Sequence, residues 1–337
     1  YDLRTMVNPY GTGANFILAG GSTQHGVQRA VERLIGYISQ MGQRDELTLP
    51  FLLDVELEPA LARQMAAWPY TRLGIPLPQS NADLLTAVGN YAIMYAWTGD
   101  PRYADFSRAC LREMNRRVAH SYGDWHYLIE RVVRAMLWLT AGGFLDGADI
   151  RRTDELIFGT TYETKDMWWR KRDGKPPMGH RHQGKGTFMF YQQARYLREQ
   201  ARPNEAAARL CEQWMAECRE FLDALARARA DDQDDDTSLN NLTTLVWYAL
   251  GEERFEFFES GNARLCAERA IAVHDNMGAG AGPAGYGEGL AGAMYYQEEA
   301  WILTAAAALY YQDGELRSAW ERLRLLKSPL KYIYWSL

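Results

Sequence analysis

The sequence predicts an all-α fold, an (α/α) toroid of about six to seven helical hairpins, with a small N-terminal α/β element ahead of it. Three observations predict this fold. Hydrophobic residues make up 47% of the 337 residues, which is enough for a sizeable core. Helical periodicity dominates from about residue 56 onward, and most connections between the helices are short. We therefore expect two domains, 1–45 for the N-terminal element and 46–337 for the toroid.

The N-terminal element is predicted from a strand signal followed by a helix signal. The apolar run from Asn15 to Ala19 precedes a Gly20-Gly21-Ser22 turn, and helical periodicity extends from Gly26 to Ile35. A glycine turn before a helix can cradle phosphate. Here the Gly11-Thr12-Gly13 sequence precedes the strand, so the dinucleotide fingerprint is incomplete. A structural linker or cap is the better interpretation.

The remaining chain is divided into helices by periodicity and by end signals. Asp100-Pro101 is typical of a helix start, and Gly99 and Gly251 are predicted to end helices. No period of about 34 or 40 residues recurs, and the connections are unequal in length, so a closed ring is favoured over an open solenoid. The expected helices are 57–67, 82–98, 102–120, 125–142, 147–158, 186–201, 204–229, 238–250, 252–260, 263–277, 291–312 and 315–326.

Charge and composition exclude several classes of partner. A net charge of −6 disfavours nucleic acid, and no apolar run is long enough to insert into a membrane. The four cysteines fall in helical patterns without metal-type spacing, so we expect them to be buried and free. The 11 Trp and 20 Tyr suit a carbohydrate-binding cleft as well as a core. We expect a secreted or periplasmic location, and no oligomeric state is predicted.

A basic and aromatic segment at 168–185 is the first candidate for function. It combines stacking faces with cations that pair with carboxylate or sulfate, so its interpretation as a wall for an anionic polymer competes with that of a solvated loop. His180 and His182 would point the same way on an extended backbone. No third ligand follows them, so catalysis is favoured over metal binding. The residues of interest here are Trp168, Trp169, Arg170, His180, Arg181, His182, Gln183 and Lys185.

Two further segments carry polar groups beside predicted helices. The acidic run at 234–236 is explained as a helix start, and Asn241, one turn into that helix, is expected to make an inward polar contact. The glycine-rich segment at 278–289 contains Tyr286 and Glu288, both able to transfer protons. Tyr295 follows on the next helix and shares a face with Glu299.

Four short segments resemble the helical-toroid polysaccharide lyases of the alginate, glucuronan and heparinase type. They are Thr98–Tyr103, His180–Gln183, Phe257–Asn262 and Asp275–Glu288. The resemblance implies β-elimination beside a uronic acid, without a metal or an organic cofactor. It implies that His and Asn neutralise the substrate carboxylate, and that Tyr or His acts as base and Tyr as acid. Arg181 separates the two histidines, which departs from the family pattern.

The lyase hypothesis therefore assigns two groups of residues. The expected catalytic residues are His182, Tyr286, Asn241 and His180. The expected substrate-binding residues are Trp168, Trp169, Arg170, Arg181, Gln183, Lys185, Glu288 and Tyr295. The partner is an anionic polysaccharide or oligosaccharide.

Two alternatives to the lyase remain. The first is a glycoside hydrolase on the same toroid that pairs Glu288 with Asp124, Asp275 or Glu299. The second is a non-catalytic carbohydrate-binding module that keeps the cleft without turnover.

Overall fold

The fold is known from a computed structural model, which describes most of the chain in two compact units. Unit 1 is Tyr1–Thr160 and unit 2 is Thr161–Leu337. The structure describes residues 1–6, 14–40, 49, 51–57, 59, 62, 69–122, 129–164, 181–201, 204–227, 237–272 and 297–325. The described part is mostly helical with one small sheet, which confirms the predicted helical class.

Unit 1 begins with a three-stranded sheet in the order β2-β1-β3. The strands are β1 (Asp2–Met6), β2 (Phe16–Gly20) and β3 (Leu53–Val55), and both outer strands run antiparallel to β1. Helix α1 (Gln24–Gln40) follows β2 and packs on β1 and β2. The predicted strand, turn and helix are thus confirmed. The domain boundary expected at residue 45 stays a prediction, and the sheet itself continues to Val55.

Unit 1 continues, within its described residues, with four further α-helices. A short 3₁₀ turn covers Pro69–Thr71, and the helices are α2 (Asn81–Thr98), α3 (Pro101–Arg117), α4 (Ile129–Ala141) and α5 (Gly147–Thr164). Each corresponds to a predicted helix, although α5 extends to Thr164 instead of ending at 158. The helix expected at 57–67 falls almost entirely outside the described residues.

The α2–α3 hairpin is fixed by local chemistry. The Asp100 side chain accepts a hydrogen bond from the Arg102 amide at the start of α3, and Pro101 occupies the first helical position. Gly99 ends α2 with a φ of 69°, a left-handed conformation that favours glycine. The three predicted end signals at this corner are confirmed, and they turn the chain within two residues.

Helix α2 is buried on all sides, whereas α3 is amphipathic. From Leu84 to Trp97 nearly every side chain of α2 is inaccessible to solvent, as expected for a helix surrounded by other elements. Arg131 of α4 lies against Gly89, and Phe144, just after α4, packs on Tyr95. The earlier residue of α2 contacts the earlier residue of the α4 region, and the later one contacts the later one. Helices α2 and α4 therefore run parallel.

Unit 2 contains seven helices within its described residues. They are α6 (Arg181–Glu199), α7 (Glu205–Arg227), α8 (Thr237–Glu252), α9 (Glu256–Glu259), α10 (Asn262–Ala272), α11 (Gln297–Tyr311) and α12 (Gly314–Leu325). An apolar core joins α8, α9, α10, α11 and α12, and Leu245, Phe257, Phe258 and Leu303 are among its fully buried members.

Two local predictions in unit 2 are wrong. Helix α6 begins at Arg181 rather than 186, so His182 is helical and the extended backbone assumed for it does not exist. Gly184 and Gly186 weaken helix propensity in this stretch, but both are buried, and burial against neighbouring elements outweighs propensity. Gly251 lies inside α8, and the left-handed residue after that helix is Glu253.

Two further expectations concern the cysteines, expected to be buried and free, and membrane insertion, which is not expected. All four cysteines are buried and free, as predicted. Within the described ranges, no helix is both long enough and apolar enough to cross a membrane.

Candidate functional site

Helices α6 and α8 of unit 2 run side by side in the same direction. The Tyr248 ring of α8 packs against the rings of Phe188 and Tyr191 on α6, with centroids 6.5 and 6.1 Å apart. Further along both helices, Arg195 Nη1 donates a hydrogen bond of 2.8 Å to Glu252. Residues earlier on α6 contact residues earlier on α8, and later residues contact later ones. The two helices therefore run parallel and begin at the same end.

Helix α11 shares this direction. Its last turn carries Tyr310, which packs on Phe255 just after α8 and on Phe258 of α9, at centroid distances of 5.8 and 4.8 Å. The end of α8 and the end of α11 are therefore adjacent, and the two helices share the apolar core described above. It follows that α6, α8 and α11 begin at one common end of unit 2.

The three segments singled out in the sequence precede or include these three helix starts. The first turns of α6 contain Arg181, His182, Gln183 and Lys185, and the second turn of α8 contains Asn241. The structure describes the backbone of these five residues but not their side chains. The remaining expected site residues also lie outside the described residues: Trp168, Trp169, Arg170, His180, Tyr286, Glu288 and Tyr295.

Buried threonines form a polar level beneath the common end. Thr187 of α6, Thr244 of α8 and Thr304 of α11 are each buried and lie six or seven residues into their helices. At 1.5 Å per residue this depth is about 9–11 Å. Thr187 Oγ1 has no hydrogen-bond partner among the described residues. A hydroxyl both donates and accepts, so Thr187 can hydrogen-bond a polar group that reaches it.

The opposite end of unit 2 is fixed by a network of charged groups. Glu252 accepts the hydrogen bond from Arg195 and lies 3.7 Å from Arg219 Nη2, and Arg219 donates to the Tyr191 hydroxyl at 3.0 Å. Burial raises the pKa of Tyr191, and its proximity to Glu252 raises it further. Tyr191 therefore remains a neutral hydrogen-bonding group that joins α6, α7 and α8.

A second, partly buried contact reinforces the same end. The Tyr248 hydroxyl donates to Asp223 at 2.8 Å, and Arg254 forms an ion pair with the same carboxylate. Burial also raises the pKa of Tyr248 well above its ordinary value. These groups form hydrogen bonds and ion pairs with one another. We therefore assign them a structural role, which is to hold the helices in register.

Unit 1 contains a polar position that sequence analysis missed. Asn90 lies in the middle of the apolar helix α2, is 0% exposed, and neither its amide nitrogen nor its amide oxygen has a partner among the described residues. An asparagine in an otherwise apolar helix is the same signal that selected Asn241. Applied consistently, that signal would have found Asn90 as well.

The neighbourhood of Asn90 is the contact between α2 and α4. Thr86, one turn before Asn90, accepts a hydrogen bond of 3.1 Å from Arg131. A methyl group built on Gly89 would approach Arg131 Cβ to 2.4 Å, so the helices come this close only because residue 89 is glycine. Glu130, in the first turn of α4, is also buried. The α2–α4 contact thus includes a hydrogen bond between polar side chains.

Comparisons with known proteins and a search for metal ligands add no assignment. Family models, curated proteins and solved structures give no match to the chain. Among the described residues, no group of three or more His, Cys, Asp or Glu side chains is arranged to hold a metal ion.

Proposed function

We propose that this chain is a polysaccharide lyase that cleaves an anionic, uronic-acid-containing polysaccharide by β-elimination. The main observation in support is the shared direction of α6, α8 and α11. Their starts lie at one end of unit 2, next in sequence to the basic and aromatic segment, the acidic segment and the glycine-rich segment with Tyr286. Loops on a rigid helical scaffold are where binding and catalytic groups concentrate.

We further infer that the helices belong to an (α/α) toroid, whose inner helices all run in one direction. Packing between helices that are not consecutive in the chain supports this inference: α2 packs on α4 within unit 1, and α6 packs on α8 and α8 on α11 within unit 2. The intervals between the described helices also alternate in length. Short intervals follow these helices, as at Gly99–Asp100, and longer ones, such as residues 165–180 and 273–296, precede them.

The proposed chemistry needs three kinds of group. The proton at C5 of a uronic acid is weakly acidic, so His182 or His180 with Asn241 would hydrogen-bond the substrate carboxylate and stabilise the charge that develops there. Proton removal from C5 and protonation of the leaving O4 fall to Tyr286 and the histidines. A double bond forms between C4 and C5 as the C4–O4 bond breaks, and no redox step or metal is required.

Substrate binding in this proposal rests on charge and stacking. Arg170, Arg181 and Lys185 would pair with carboxylates along the polymer, since an arginine fork matches a carboxylate bidentately. Trp168, Trp169 and Tyr295 would stack on sugar faces, and Gln183 and Glu288 would hydrogen-bond hydroxyls. The buried threonines at 187, 244 and 304 would provide the floor beneath them.

The proposal is tested by incubating the chain with alginate, glucuronan and glycosaminoglycans while recording the ultraviolet absorbance of unsaturated uronates. We expect signal on at least one polymer, and a loss of at least about 100-fold for His182→Ala and Tyr286→Phe, the usual contribution of a general acid or base. His25→Ala, on the exposed face of α1, and Tyr310→Phe, at the far end of α11, are the matched controls.

Each outcome of this assay decides between the three hypotheses. New reducing ends without ultraviolet absorbance would establish a hydrolase and overturn the lyase. Binding without any product would establish a non-catalytic module. Retention of full activity in both His182→Ala and Tyr286→Phe would show that the lyase machinery lies elsewhere.

A further inference from the structure

Strand β2 lies at the edge of the sheet that the structure describes. Within the part of the chain that the structure describes, β2 pairs with β1 alone. Its sequence, Phe-Ile-Leu-Ala-Gly, contains no charge and no proline, the usual devices that keep an edge strand from pairing with another chain. An unprotected edge of this kind is a template for a further strand.

The register of the sheet assigns the two faces of β2. Ala19 lies in register with Leu3 and Asp54, and the Asp54 carboxylate accepts hydrogen bonds from Arg33 and Tyr37 of α1. The Ala19 side of the sheet therefore faces α1. Side chains alternate along a strand, so Phe16 and Leu18 lie on the opposite face, and both are close to half exposed.

Helix α1 carries a second exposed apolar surface. Val27, Val31, Ile35 and Ile38, which we call the α1 stripe, are 39–57% exposed and recur at the spacing of one helix face. Val31 precedes Arg33 by two residues, which is about 200° around the helix. Since Arg33 reaches towards β3, the α1 stripe lies on the side of the free edge of β2.

We propose that a second copy of this chain covers this surface, with β2 pairing antiparallel to β2 of the other copy about a two-fold axis perpendicular to the sheet. Leu18 is the central residue of β2, so the axis passes beside it and brings the two Leu18 residues opposite one another. The two sheets join into one of six strands, and both α1 helices lie on the same face. The contact is self-complementary, as an isologous dimer requires.

The spacing of strands and helices fits this arrangement. Strands lie about 4.8 Å apart, so a helix centred between β1 and β2 lies about 4.8 Å from the two-fold axis. The two α1 helices are then separated by about 9.6 Å, within the 8–10 Å typical of packed helices. Their facing sides are the two α1 stripes, which contain no charged residue. The proposed axis therefore brings apolar side chains into contact at the distance where they pack.

The area buried agrees with a reversible dimer. The exposed parts of the α1 stripe, with Leu18 beside the axis, supply part of the roughly 800 Å² per partner in a standard interface. The backbone of the two β2 strands and the flanking polar groups bury further area. We therefore expect association in the micromolar range rather than an obligate dimer.

The test is the mass of the chain in solution, measured by sedimentation equilibrium over a range of concentrations. We expect a monomer–dimer equilibrium in the unaltered chain. The double variant Val31→Glu/Ile35→Glu should weaken it at least about tenfold, because it places four carboxylates in the apolar seam of each dimer. Both positions are exposed in one copy, so folding is preserved, as circular dichroism would verify. The matched control is Leu265→Glu/Leu309→Glu, at two exposed leucines of unit 2.

A cross-link tests the strand pairing itself. Residues opposite one another in an antiparallel pair have Cα atoms about 4.5–5.5 Å apart, within the range that a disulfide spans. Leu18→Cys should therefore give a covalent dimer on oxidation, whereas Leu265→Cys should not, and the four native cysteines are buried. Three results would overturn the proposal: a chain that stays monomeric at all concentrations, a dimer that tolerates the glutamates, or a Leu18→Cys variant that dimerises but never forms the cross-link.

Discussion

Two buried asparagines of unit 1 allow a sharp test of what a buried amide contributes to stability. Asn90 of α2 has no partner for either amide atom among the described residues. Asn115 of α3 uses both: it donates to Thr153 Oγ1 at 2.8 Å and accepts from the Tyr122 hydroxyl at 2.8 Å. We predict that replacement by leucine, which has the same number of side-chain heavy atoms and the same branching, changes stability in opposite directions at the two positions.

The expected magnitudes follow from the cost of an unsatisfied buried polar group, about 1–3 kcal/mol. Asn90→Leu removes two such atoms and should raise the free energy of unfolding by about 1–3 kcal/mol. Asn115→Leu leaves the Tyr122 hydroxyl buried without its acceptor and removes two hydrogen bonds. It should therefore lower the free energy of unfolding by about 2–4 kcal/mol.

The assay is urea unfolding followed by circular dichroism, with both variants measured beside the unaltered chain. Destabilisation by Asn90→Leu of a size similar to that of Asn115→Leu would contradict this account. It would mean that Asn90 hydrogen-bonds a bound water or a ligand. Assay of Asn90→Leu on uronate polymers would then separate the two, since only a ligand contact affects turnover.

Two further predictions concern the same unit. Gly89→Ala should destabilise the chain by about 1–3 kcal/mol because the new methyl group meets Arg131. Gly36→Ala, with open space around it in α1, should instead stabilise the chain by about 0.5–1 kcal/mol. Equal shifts in urea midpoint for the two variants would contradict the close α2–α4 contact. Burial raises the pKa of Tyr91 to about 12, above about 10 in the unfolded chain, so its contribution is present below pH 10 and lost as pH rises towards 12. Tyr91→Phe should flatten that alkaline decline in urea midpoint, and an unchanged slope would exclude Tyr91 as its source.

Helices and their ends were predictable where the signal is local. The corner at Gly99, Asp100 and Pro101 contains its own stop and start signals within three residues, and the structure follows them. Strands β1 and β3 were missed because their pairing is not local: Arg4 lies in register with Leu53, and Arg4 is buried against Trp138 of α4. A short strand with an arginine at its centre has no apolar pattern of its own.

The candidate site, too, was predictable from the sequence only in part. Residue types alone selected the segments at 168–185, 234–241 and 278–295, and periodicity predicted the helices between them. Neither could predict that α6 already begins at Arg181, because two glycines conceal a helix that packing stabilises. Asn90 was also overlooked, although an asparagine within an apolar helix is the same sequence signal that selected Asn241; the structure adds that its amide has no partner among the described residues.

Local patterns along the chain were enough to define the helical class, the hairpin corner, the buried cysteines and the residue types available for chemistry, since each depends on periodicity or on neighbours a few residues away. Long-range packing was needed to show which helices run parallel and which end of unit 2 receives the three segments. The aromatic contacts of Tyr248 and Tyr310 establish this, and they join residues about 50 to 60 positions apart. Helix direction in space follows from such contacts, which periodicity along the chain does not encode.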